Sequence, residues 1–106
     1  MASSFDDRKN SFESRFAHDA ELQFKVEARR NRLLGEWAAE ILGLEGEERA
    51  AYAREVVKSD FQEAGDDDVF RKVEGDLGEK VPAAEIRAKM NALMATAKEQ
   101  VRTETR

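Results

Sequence analysis

The chain has 106 residues, 39% of them charged and 41% hydrophobic, and its 18 Lys and Arg against 23 Asp and Glu leave a formal net charge of −5. That length suits one domain, and the absence of cysteine beside a single histidine excludes a disulfide framework, a thiolate nucleophile and Cys- or His-built metal cages. An acidic total without a Lys/Arg stripe argues against nucleic acid as the main partner, and no apolar run approaches the roughly 18 residues of a membrane span.

Residues 1–18 read differently from everything after them. Phe5, Phe12 and Phe16 lie seven and four residues apart, which is helical spacing, among Asp6, Asp7, Arg8, Lys9, Glu13 and Arg15, whose charges cancel. No strong cap opens the segment, serines and Asn10 weaken its helix propensity, and so short a lone helix is marginal in water. The expectation is a mobile N-terminal arm that folds as it docks in a groove.

Asp19 is placed as an N-cap with Glu21 behind it. The apolar residues Leu22, Val26, Leu33, Leu34, Trp37, Ala38, Ile41 and Leu42 then share one face of a helix over about residues 19 to 43, closed by Gly43. Gly46 opens a second helical segment, Glu47 to Ala64, with acids in its first turn and a stripe through Tyr52, Ala53, Val56, Val57 and Phe61. Asp66, Asp67 and Asp68 precede a short third helix carrying Val69, Phe70, Val73 and Leu77. Gly75 and Gly78 weaken its last turn, which should fray or be held by tertiary contacts. After Pro82 a fourth helix runs to about residue 102 with Ile86, Met90, Leu93, Met94, Ala97 and Val101 in line. Strand signals are nearly absent. The fold class is all-α: a small four-helix bundle over residues 19–106 bearing the arm over residues 1–18.

Catalysis needs an activated nucleophile or an oriented base, and the sequence offers carboxylates, scattered serines and His18. The aspartate run has Arg71 and Leu77 where a calcium loop requires Gly and Glu, so these acids read as helix caps. No cofactor or metal is expected. The basic cluster Lys25, Arg29, Arg30 and Arg32 falls within the first helix, with Arg29 and Arg32 turned to solvent or an acidic partner and Arg30 nearer the apolar seam. Trp37 and Tyr52 read as core anchors.

The words Phe5-Asp6-Asp7-Arg8, Phe12-Glu13, Phe16-Ala17-His18-Asp19, Ala28-Arg29-Arg30-Asn31 and Trp37-Ala38-Ala39-Glu40 continue through Gly46-Glu47-Glu48, Asp60-Phe61 and Arg71-Lys72-Val73 into Lys89-Met90. In that order they resemble the zeta subunit family, the ATPase inhibitors of the alpha-proteobacterial F-type ATP synthase. Glu45 and Gly75 depart from the family pattern, which bears on local capping and on the third helix.

The resemblance implies a non-enzymatic inhibitor of ATP hydrolysis, monomeric when free and cytoplasmic. It would act at the inner face of the plasma membrane on the catalytic head of the synthase, its alpha, beta and gamma subunits, without inserting into the membrane. It implies that the arm is the inhibitory part, through Phe5, Asp6, Asp7, Arg8, Phe12, Glu13, Phe16 and His18; the spacing of the basic cluster adds Arg29 and Arg32 as a candidate secondary contact. The rival expectation is a generic helical protein-interaction or nucleotide-sensing module.

Overall fold

The computed structural model describes residues 19–60 and 66–104; the arm of residues 1–18, with all eight of its candidate site residues, lies outside the described residues. Helix α1 spans Ala20–Ile41. Asp19 caps it as expected: Oδ1 accepts from the backbone N–H of Glu21 at 3.0 Å and of Leu22 at 3.2 Å, two donors that the helix itself cannot satisfy. The expected end near Gly43 falls two residues earlier. The Gly43 N–H donates to the Glu40 carbonyl at 3.1 Å and the Leu44 N–H to the Ala39 carbonyl at 2.9 Å, a Schellman closure with Gly43 at φ 80°. A left-handed residue there favours glycine because it has no Cβ.

Helix α2 spans Gly46–Ser59, shorter than the segment to Ala64 that periodicity suggested. Ser59 Oγ donates to the Val56 carbonyl at 2.6 Å and the Asp60 N–H reaches the Val57 carbonyl at 3.3 Å, so the last turn tightens and stops. Phe61, the last residue of the expected stripe, and Ala64, the expected end of the segment, lie outside the described residues. Helix α3 spans Asp67–Leu77 and passes through a 3₁₀ turn, Gly78–Lys80. Helix α4 spans Ala83–Glu104, and the Pro82 carbonyl before it accepts from Glu85 at 3.0 Å and Ile86 at 3.2 Å. The described residues are thus all-α.

Two cores hold these helices, and they divide the molecule. The larger gathers Leu34, Ala38 and Ala39 of α1, Tyr52 and Val56 of α2, Val69, Val73 and Leu77 of α3, Val81, and Ile86 and Met90 of α4. The smaller joins only Leu22 and Val26 of α1 to Ala97 and Val101 of α4, with Met94 beside them. Helices α1 and α4 therefore run antiparallel, with α2 and α3 in the larger core alone. Among the described residues the bundle is four helices thick at the larger core and two helices wide at the smaller one. Leu77, 2% exposed, anchors the end of α3 that Gly75 and Gly78 weaken, so tertiary packing holds that turn. Trp37 is a correction: it is half-buried at the edge of the larger core, with the Lys89 ammonium 5.7 Å from its ring centre, whereas Tyr52 is buried as expected.

Candidate partner-binding face

The basic cluster of α1 separates into three environments once the helix is packed. Arg29, read as solvent-facing, instead turns to α4: its guanidinium donates to Gln100 Oε1 at 2.9 Å and lies 2.7 Å from the Glu104 carboxylate, leaving the side chain 17% exposed. The hydrogen bond from Arg29 holds the Glu104 carboxyl below its usual range. Arg32 is 53% exposed, as expected, with Glu36 one turn on at 4.0 Å. Arg30 goes inside.

Arg30 occupies a slot in the row Leu22, Val26, Arg30, Leu34, Ala38, every fourth residue of α1, and all five are buried. Its Nε donates to Asn31 Oδ1 at 2.6 Å and its NH2 to Asp66 Oδ1 at 2.8 Å. Asp66 was expected to cap α3 with its side chain. It makes no such bond, because its carboxylate is spent on Arg30, and the hydrogen bond from Arg30 holds its carboxyl below the usual range. Asp68 is buried and accepts from Arg71 at 2.6 Å. Two nearby acids respond in the opposite sense. Burial pushes the Glu27 carboxyl up, helped by repulsion from Asp60 and Asp66 and opposed by Arg30. Burial also raises Asp60, against the pull of the Asn31 amide and Arg30.

A second polar set ties α2 to α3. The Tyr52 hydroxyl donates to Asp76 Oδ2 at 2.8 Å, and Lys72 Nζ lies 2.9 Å from Asp76, 3.5 Å from Glu55 and 5.2 Å from the Tyr52 ring centre. Burial and that hydrogen bond to a carboxylate raise the phenol pKa. Neither Arg30–Asp66 nor Tyr52–Asp76 was named from the sequence. The row of every-fourth residues through Arg30 is the signal that could have placed it inside; nothing local points Tyr52 at Asp76.

On the outer side of α1 and α2 lie two adjoining depressions. One, about 330 Å3, is lined by Arg32 and Glu36 of α1 and by Ala50, Ala53, Arg54, Val57 and Lys58 of α2. The other, about 520 Å3, shares Arg32 and Val57 and continues past Arg29, Ala28, Lys25 and Phe24 to Glu21 in the first turn of α1. The two helices come unusually close here. A Cβ on Gly35 would stand 2.7 Å from the Ala53 Cα, so only glycine fits at that crossing. The lining combines small apolar side chains, Ala28, Ala50, Ala53 and Val57, with the long cations Lys25, Arg32, Arg54 and Lys58.

Sequence comparison matches this chain, over residues 1–100, to the family described as ATPase inhibitor subunit zeta. The chain belongs to that family. A solved solution NMR structure is 61% identical, with the match covering 78% of this chain and 98% of that one at a TM-score of 0.73. Comparison with curated proteins returns no match. Membership in the zeta family makes this a regulatory subunit associated with the ATP synthase and an inhibitor by class. No helix among the described residues is long and apolar enough to cross a membrane.

Proposed function

We propose that the protein inhibits ATP hydrolysis by the F-type ATP synthase, with residues 1–18 as the inhibitory arm and residues 19–106 as the bundle that carries it. The observation that supports this most is the zeta-family match, which runs from residue 1 and so includes the arm as well as the helices. In this reading the arm becomes helical in a cleft between catalytic subunits and beside the rotor, among the alpha, beta and gamma subunits at the cytoplasmic face of the membrane. Phe5, Phe12 and Phe16 anchor it, while Asp6, Asp7, Arg8, Glu13 and His18 set its register. A wedge of that kind holds one catalytic interface closed. Hydrolytic rotation must open that interface, and rotation in the other direction expels the wedge.

The test is an ATPase assay on the cognate catalytic head with full-length protein and with a variant lacking residues 1–18. The deletion is expected to abolish inhibition while circular dichroism still shows a folded bundle. An anchoring aromatic contributes about 2 kcal/mol, so Phe12→Ala or Phe16→Ala raises the half-inhibitory concentration roughly 30-fold. Full potency in the deleted protein transfers the inhibitory function to the bundle.

A further inference from the structure

We infer that the groove between α1 and α2 is a docking site for an acidic amphipathic helix of the partner, a second attachment that rests on the inhibitor reading above. Its floor is Ala28, Ala50 and Val57, and its rim carries Lys25, Arg32, Arg54 and Lys58 against Glu21 and Glu36 in the lining and Glu47, which Arg54 holds from outside it. In a chain of net charge −5 this face has the opposite sign to the whole, so its field selects an acidic surface. Arg32 and Arg54 expose 53% and 61% of their side chains; Arg32 has Glu36 at 4.0 Å and Arg54 has the Glu47 carboxylate at 2.8 Å, solvent-facing partners that an incoming carboxylate can share or displace.

The shape selects a helix. From Glu21 to Glu36 the α1 stripe is about 22 Å long at the rise of an α-helix, room for about four turns of a third helix. Small floor residues let a ridge of larger apolar side chains settle between α1 and α2. An extended peptide would need free backbone donors and acceptors to pair with, and two intact helices present none along their sides. The chain's own arm is a poorer occupant, because the charges of residues 1–18 other than His18 and the chain terminus cancel to zero through Arg15, which gives the basic rim nothing to select. A second copy is poorer still, since a two-fold contact would set the same cations against each other.

The experiment compares full-length wild type with the triple variant Arg32→Glu, Arg54→Glu, Lys58→Glu, and with Lys80→Glu on the 3₁₀ turn as a control, each checked for fold by circular dichroism. The readouts are half-inhibitory concentration and maximal inhibition on the catalytic head across a range of salt. The triple variant is expected to need about tenfold more protein, to lose the salt dependence seen in wild type, and to reach the same maximal inhibition because its arm is intact. Unchanged potency and salt dependence in a folded triple variant overturn the groove while leaving the inhibitor reading in place. Absence of inhibition by wild type itself overturns both. A photocrosslinker at position 54 names the occupant: capture of a synthase subunit supports the inference, and capture of residues 1–18 or of a second copy of this chain overturns it.

Discussion

Burying a guanidinium is costly unless its donors are used, and Arg30 uses them on Asn31 and Asp66 at distances of 2.6 and 2.8 Å. The acids around it titrate in opposite senses, which gives stability a pH dependence with a definite sign. Asp66 has a folded pKa below 3.8, so its contribution is present above that value and is lost as pH falls through the folded pKa. Glu27 is raised above 4.5, so the folded state gains relative stability as pH falls through its folded pKa and the cost of burying the charge, with the smaller repulsion from Asp60 and Asp66, disappears. Glu27→Gln keeps the neutral form at every pH. It is expected to melt higher than wild type at pH 7, with the difference shrinking toward the unfolded value of 4.5 in a calorimetric titration. A constant difference across that range would remove Glu27 from the account. The local sequence showed Arg30 near the seam but not its partner, because Asp66 lies 36 residues away and reads by itself as a helix cap.

At the scale of the helix, the most constraining position is one that no periodicity marks. Gly35 stands in the middle of α1, where propensity alone says that alanine would stabilise by about 1 kcal/mol. The α1–α2 crossing reverses that sign, because the new methyl would sit 2.7 Å from the Ala53 Cα, a backbone atom that cannot rotate away. Gly35→Ala is therefore expected to destabilise by about 1 to 3 kcal/mol in urea denaturation, the usual cost of overpacking. A gain in stability would mean that the two helices are free to separate. Caps and stripes were legible along the chain because they are written within a few residues: Asp19, Gly43, and the α4 row through Ile86, Met90, Ala97 and Val101. The close approach at Gly35 and the turn of Arg29 toward Glu104 were not, because each is a property of two helices and appears only once they are side by side.

At the scale of the whole bundle, the described helices are packed unevenly along their length. Four helices contribute to the larger core, while the smaller rests on Leu22, Val26, Ala97 and Val101 with Met94 alongside. Amide exchange is expected to grade accordingly, slowest around Leu34, Val56, Val73 and Ile86 and faster around Val26 and Ala97. Uniform protection along α1 would show that the two cores open as one. The sole tryptophan, Trp37, packs against the larger core. Its fluorescence is thus a local reporter of the thick end, and the thin end, which has no indole, is dark to it. Far-ultraviolet dichroism sums over every helical residue. The distance between the midpoints of the two melting curves therefore measures, without any label, how independently the end that bears the arm can come undone.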